Sequence, residues 1–384
     1  MSITTVIFEA QYIIPLVVSL FFSLLIVATQ QFHGALTLDG AVGVQKFHRR
    51  PTPRVGGVAL AAGMAAAIPA LGSAPSALLA LVLLAGVPAF AAGLIEDVTK
   101  KVGPSARLAA TLISGVLLVL ITGAGMDRGG IWLVDDVLKF WPASLVVTAV
   151  AVGAAANAVN IVDGFHGLAA GVLIIGASAF GFIARDVGDV AMMELCFVLA
   201  ASVAGFVAIN FPWGRIFLGD AGAYFGGYLL AAMGLLIVSR NPEVSPWAVF
   251  LVLGYPAIEM LFSVWRKTIR DGHHPSQPDA VHFHMLVRRS VGRRVARTIG
   301  FPNAENAMTA VVIWPLPALC ALLALLSGYR TLPCMAGFLV VLLIYLACYR
   351  KLSLRPAIPL LRRASTPFSA PPPSRAVAKR QVVS

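Results

Sequence analysis

The sequence predicts an all-α, polytopic membrane protein with about eleven transmembrane helices, and three observations predict it. Of its 384 residues, 59% are hydrophobic and only 12% charged, with a mean hydropathy of +0.86; soluble domains do not reach such values. The apolar residues gather in runs long enough to cross hydrocarbon as helices, where each backbone N–H and C=O has to be paired inside the segment. The basic residues between those runs alternate in density, as the positive-inside rule requires of a multi-pass chain.

In chain order the runs are 10-30, 55-72, 77-95, 108-125, 142-160, 167-184, 190-210, 221-239, 246-265, 307-327 and 331-349. Several are rich in Gly and Ala, which lets neighbouring helices approach closely. The first is expected to stay in the membrane: no Lys or Arg precedes it, Lys46 being the first basic residue, and it is long enough to span. With the loop after this run in the cytoplasm, 24 of the 29 Lys and Arg residues share that side, leaving Arg128, Lys139, Arg185, Arg240 and Arg330 opposite. The N-terminus is therefore expected to be periplasmic, the C-terminus cytoplasmic and the active site in cytoplasmic loops. Residues 1-350 read as one multi-pass unit. Residues 351-384, with Pro371, Pro372 and Pro373 among scattered Arg and Lys, read as a disordered basic cytoplasmic tail near anionic headgroups.

The net charge of +12 follows from topology, and no nucleic-acid module accompanies it, so nucleic acid is not an expected partner. Cys196, Cys320, Cys334 and Cys348 lie in apolar runs without CxxC or His spacing and read as packing residues rather than zinc or redox groups.

Five segments carry chemistry. The first, KFHRRPTPRVGG, frames Lys46, His48, Arg49 and Arg54 with Pro and Gly, a rigid cationic turn suited to an anion. The second puts Glu96 and Asp97 at a span end, where such a pair can hold Mg²⁺ or act as a base, with Arg107 ten residues on to offset them or meet phosphate. In the third, NAVNIVDGFHG, Asn157, Asn160 and Asp163 recur every three residues, a polar ladder that capping alone does not explain in so apolar a chain. The fourth, NFPWGRIFLGDAG, holds Asn210 and sets Asp220 among glycines, open to a metal ion and a diphosphate. The fifth, DGHHPSQPDAVHFH, concentrates four of the seven His, including His282 and His284. That density suits phosphate or sugar contacts, while the spacing is weak as a zinc pattern. The Arg-rich stretch after it, Arg288 to Arg297, can lie in the interface.

In this order, RPTPRVGG, the acidic pair, NAVNIVDG, NFPWGRIFLGDAG and the His loop resemble the polyprenyl-phosphate N-acetylhexosamine-1-phosphate transferase family, over roughly residues 46 to 290. The resemblance implies transfer of a HexNAc 1-phosphate from a UDP-sugar to a polyprenyl phosphate such as undecaprenyl phosphate. It further implies release of UMP, a need for Mg²⁺ and a place in the bacterial inner membrane. It assigns catalysis to Asp97, Glu96 and Asp163, substrate binding to Lys46, His48, Arg54, Asn157, Asn160, Asn210, His282 and His284, and the metal to Asp220. Partners are then the lipid acceptor, the UDP-sugar and membrane lipids, with a homodimer left open. Glu96 departs from the family's usual Asp and His166 from a frequent second acid, which points to surface polysaccharide rather than peptidoglycan; Ala221 and Ala223 replace common Ser. A secondary transporter is the alternative of a different class, although its polar sites belong at the midplane rather than at span ends.

Overall fold

The computed structural model describes residues 9–39, 51–270 and 281–354. Lys46, His48, His273, His274, Asp279 and the tail from residue 355 lie outside the described residues.

The described chain is helical throughout apart from a two-residue antiparallel ladder between β1 (Leu38–Asp39) and β2 (Thr52–Pro53). Before the ladder come α1 (Ala10–Ala28) and α2 (Gln30–Thr37). After it come α3 (Gly56–Ala67), α4 (Ser73–Ala85), α5 (Val87–Thr99), α6 (Pro104–Thr122), the short α7 (Trp132–Leu138), α8 (Trp141–Val162), α9 (Leu168–Asp186), α10 (Val190–Asn210) and α11 (Gly219–Arg240). The C-terminal third adds α12 (Pro246–Val252), α13 (Gly254–Trp265), α14 (Phe283–Val287), α15 (Arg293–Thr298), α16 (Glu305–Ile313), α17 (Pro315–Leu326) and α18 (Thr331–Ser353).

Each of the eleven predicted runs falls on helix. Among the described residues, eight helices have the length and composition to cross a membrane, and ten if two bent pairs each count as one span. The remaining run, 55–72, is α3 extended by one 3₁₀ turn to Ala70; at 1.5 Å per residue it reaches about 22 Å, short of a 30 Å core. The bends have chemical causes. Between α4 and α5 the axis turns by 49° at Gly86, with Pro88 in the first turn of α5. Between α12 and α13 it turns by 77° at Leu253, where Pro256 removes a backbone donor.

Helix α11 is the axis of the bundle and is buried along nearly its whole length, packed by α3, α5, α8 and α9. Small residues allow this. A Cβ on Gly93 of α5 would lie 2.5 Å from the Ala221 nitrogen, and a Cβ on Gly227 2.7 Å from the Ala156 Cα. These contacts bring backbone against backbone where larger residues would hold the helices apart. Tyr228, buried in this core, gives its hydroxyl to the Val82 carbonyl at 2.8 Å, so this hydroxyl is not left bare in hydrocarbon.

Candidate active site

The predicted polar residues converge at one end of the bundle, because α5 and α8 end there while α6 and α11 begin there. Two of the motif loops are tied by backbone. The Phe217 N–H donates to the Pro53 carbonyl (2.8 Å), and the N–H groups of Gly56 and Gly57 donate to Phe217 and Leu218 (2.9 Å each). Arg54 is thereby set beside the start of α11.

That helix start is where the site is organised. Its first amides have no intrahelical acceptor, and Asp97 supplies one from the end of α5: Oδ1 accepts the Asp220 N–H at 3.0 Å and Oδ2 the Ala221 N–H at 2.9 Å. A carboxylate at a helix N-terminus also meets the positive end of the dipole. Arg54 completes the cap with Nε 3.3 Å from Asp97 Oδ1. Asp97 is fully buried. Gly219 takes a left-handed φ of +74°, and a Cβ there would run into the Arg54 carbonyl and sit 2.5 Å from Asp97 Oδ2; only glycine fits.

With its backbone amide used by Asp97, Asp220 turns its carboxylate to cations. Arg54 Nη2 reaches Oδ1 at 3.1 Å and Asn160 Nδ2 the same oxygen at 3.3 Å. Arg107, from the first turn of α6, is paired with Oδ2 and also stacks its guanidinium over Tyr224. Arg107 was noted in the sequence as a cation near the acidic pair; the fold gives it to Asp220 instead.

Asp163 stands at the end of α8, where its N–H donates to the Asn160 carbonyl at 3.2 Å, while its carboxylate makes no hydrogen bond or ion pair among the described residues. Desolvation, then the negative charges of Asp220 and Asp97, pushes its carboxyl up to about 7, against the pull of Arg54.

Other predicted residues have different work. Glu96, one position before Asp97, turns to the loop, where Oε2 accepts the Val102 N–H at 2.8 Å. Asn157 faces α6, donating to the Gly153 carbonyl at 2.7 Å and to Thr111 Oγ1 at 3.3 Å. Asn210, expected to contact substrate, is buried: its Oδ1 accepts the Gly167 N–H (2.7 Å) and its Nδ2 donates to the Ile216 carbonyl (2.6 Å), pinning two loops together. His166 stacks on Phe217. His282 and His284 lie parallel, ring centroids 5.4 Å apart, and His284 is packed against Gly164, beside Asp163.

Sequence reasoning missed Glu259. It is buried on α13, where its carboxylate accepts His282 Nδ1 and the Tyr345 hydroxyl, each at 2.9 Å, and the Phe283 N–H at 3.2 Å. The available signal was a single carboxylate inside the apolar run 246–265, since such groups are rare at membrane depth without a task.

Could these residues hold a divalent ion? The hard oxygens at this point are those of Asp220, whose carboxylate Arg54, Arg107 and Asn160 already hold, and of Asp97 beside it; no group of three His, Cys, Asp or Glu suited to a metal occurs among the described residues. That donor set fits Mg²⁺, which is held by one or two carboxylates with substrate phosphates and water completing its shell.

An apolar cavity of about 220 Å³ opens between α8, α11, α12 and α13, lined by Ala151, Ala155, Ala158, Leu235, Phe250 and Met260 among others. It shares α8 with the polar ladder.

Fold and site together define a multi-pass membrane protein with an acidic, arginine-paired centre at one end of its helix bundle. The family model of glycosyl transferase family 4 matches residues 79–238 of the chain. Among its relatives is the Bacillus subtilis protein named "Probable undecaprenyl-phosphate N-acetylglucosaminyl 1-phosphate transferase", 28% identical over 62% of this chain and 66% of the relative. Decaprenyl-phosphate N-acetylglucosaminephosphotransferase of Mycolicibacterium smegmatis is 31% identical over 62% of this chain and 65% of the relative. Undecaprenyl-phosphate alpha-N-acetylglucosaminyl 1-phosphate transferase of Yersinia pestis is 26% identical over 74% and 81%. The chain thus spans about two thirds of the length of the first two of these curated relatives.

Proposed function

We propose that this chain transfers a HexNAc 1-phosphate from a UDP-sugar to a polyprenyl phosphate, releasing UMP, in the bacterial inner membrane. The observation that carries the reading is the cluster in which Asp97 caps the first turn of α11 while Arg54, Arg107 and Asn160 meet on Asp220. Two phosphate-bearing substrates repel each other, and such a site needs fixed cations and carboxylates placed before they arrive. The relatives' printed names supply the polyprenyl phosphate and the GlcNAc 1-phosphate. They lend no support to a transporter, and the site's place at helix ends argues against one as well.

In this reading an oxygen of the polyprenyl phosphate attacks the sugar-side phosphorus. The bond from that phosphorus to the bridging oxygen breaks, and UMP leaves with that oxygen. Arg54 and Arg107 draw the donor diphosphate in and offset the charge spread over it in the transition state. Asp163, whose carboxylate has no partner among the described residues and whose pKa is near neutrality, accepts the proton of a monoprotonated acceptor phosphate. Asp97 holds Asp220 and Arg54 in register, and Asn160 orients Asp220. Asp220 would hold Mg²⁺, whose contribution is Lewis-acid polarisation of the phosphoryl oxygens. The apolar cavity beside α8 receives the first part of the acceptor's lipid chain.

The eleven runs are assigned as eleven passes, with periplasmic N-terminus and cytoplasmic C-terminus. Residues 1-350 form the transferase unit, and residues 351-384 are a cytoplasmic tail outside the chemistry. His282 and His284 complete the donor pocket.

The test is direct. Purified protein with Mg²⁺, undecaprenyl phosphate and a panel of UDP-HexNAc donors is expected to release UMP. Asp220→Asn and Asp97→Asn are expected to retain the wild-type elution profile and lose turnover by about a hundredfold or more, the scale on which a fixed charge at a developing transition state acts. Absence of UMP with every donor would refute the reading.

A further inference from the structure

A buried carboxylate in an apolar helix is costly unless its oxygens are satisfied. Glu259 is 1% exposed, and donors from two distant parts of the chain converge on it. The loop entering α14 gives His282 Nδ1 and the Phe283 N–H to Oε1, and α18 gives the Tyr345 hydroxyl to Oε2. A leucine would fill the same space without this cost, so packing alone does not account for the residue.

The consequence lies in what His282 then fixes. With Nδ1 bound to the carboxylate, the imidazole has one rotation, and Nε2 is carried on the opposite edge of the ring. His282 lies flat against His284, their planes 8° apart. His284 in turn stands edge-on to Phe165, centroids 5.4 Å apart. Its Nε2 occupies the space a side chain at Gly164 would need, 2.7 Å from the Cβ position. Arg288 covers Phe165 at 5.9 Å. A continuous set of contacts therefore runs from Glu259 to the turn that presents Asp163. The side chains in this set, Glu259, His282, His284, Phe165 and Arg288, are buried or half-buried.

We propose that Glu259 is a positioning residue of the donor site: its carboxylate fixes the His282 ring, and through the His282–His284 stack it holds the Asp163–Phe165 turn. The proposal rests on the transferase reading, in which these histidines contact the UDP-sugar. It follows the way an outer carboxylate sets the orientation and tautomer of a ligating histidine.

Four variants test it: Glu259→Leu, Glu259→Gln, His282→Ala, and Glu259→Leu with His282→Ala. UMP release is followed against UDP-N-acetylglucosamine and undecaprenyl phosphate separately. Glu259→Leu is expected to raise the KM for the UDP-sugar about tenfold, the worth of a lost hydrogen bond to a charged group, without moving the KM for the lipid. Glu259→Gln, whose amide oxygen still accepts the imidazole N–H, is expected to fall between. The double variant is expected to match His282→Ala, because the two residues act as one unit. Multiplying effects, or an equal rise in both KM values with a fall in thermal stability, would overturn the proposal in favour of a structural role.

A second readout needs no turnover. In the ¹⁵N spectrum of histidine-labelled protein in detergent, the signal that disappears in His282→Ala is expected to report a proton on Nδ1 and to move in Glu259→Leu. If it does not move, Glu259 does not position the ring, whatever the reaction. If wild-type protein releases no UMP with any donor, the transferase reading fails, and this spectrum still decides the geometry.

Discussion

Glu96 and Asp97 are neighbours in the chain and have separate tasks. Successive helix positions point about 100° apart, so at the end of α5 one carboxylate enters the bundle and caps α11 while the other closes its own loop at Val102. Asp163 differs from both in that its carboxylate has no partner among the described residues, and its pKa of about 7 gives it a pH signature. Its raised value favours the protonated form below neutrality, so the base form, and kcat/KM with it, is expected to rise as pH increases through about 7. Asp163→Asn should remove turnover. The stability effect has the opposite sign. Because the folded pKa lies above the ordinary value, the carboxyl favours folding at low pH, and that contribution is lost as pH rises through about 7. Thermal melts of Asp163→Asn should therefore show a gain over wild type that grows from about pH 4 to about pH 7 and levels off above it; the same difference at about pH 4 and about pH 8 would contradict the assignment.

At the scale of elements, α11 is held at both ends by side chains from elsewhere. Its start is capped by Asp97. Its last carbonyls, which no intrahelical donor can reach, are met by Arg128: Nη2 donates to Val238 at 2.6 Å and to Asn241 at 3.0 Å, and a second nitrogen reaches Pro242. A cation at a helix C-terminus also complements the dipole. Arg128→Ala is expected to cost about 1–3 kcal/mol, the range for hydrogen bonds to a charged group, and to lower the melting temperature in detergent. KM values should stay unchanged, since Arg128 sits at the other end of α11 from Asp220. A change in KM without a change in stability would be inconsistent with a capping role. The bends between α4 and α5 and between α12 and α13 also belong to this scale. Gly86 and Pro256 mark them in the sequence, but their angles depend on what packs against each half.

For the whole molecule, the Lys and Arg bias of the sequence predicts that the bundle end where the carboxylates gather faces the cytoplasm. On a cysteine-free background, a cysteine at the exposed Trp213 position is expected to react with an impermeant maleimide only from the cytoplasmic side. A cysteine at Asp127, which is 72% exposed, should react only from the opposite side. Reversal of the two would invert the topology and move the site to the outer face.

The sequence by itself determined the helical membrane architecture, because the solvation of backbone amides in lipid leaves a long apolar run little choice of structure. It also marked the candidate site, because Asp97, Asn160, Asp163 and Asp220 are costly in such a chain without a task. Its motif order resembles that of the polyprenyl-phosphate sugar-1-phosphate transferases, and the comparisons returned relatives with names of that kind. What it left open was pairing. Arg107 binds Asp220 across 113 residues, Asp97 caps a helix that begins more than 120 residues later, and Asn210 and Asn157, alike in type to Asn160, hydrogen-bond to backbone groups away from Asp220. Glu259 acquires its meaning only when α13 is set beside His282 and Tyr345. Periodicity gives the face a residue occupies on its own helix, whereas the partner is set by the rotation and depth at which distant helices dock, and only the tertiary packing decides those.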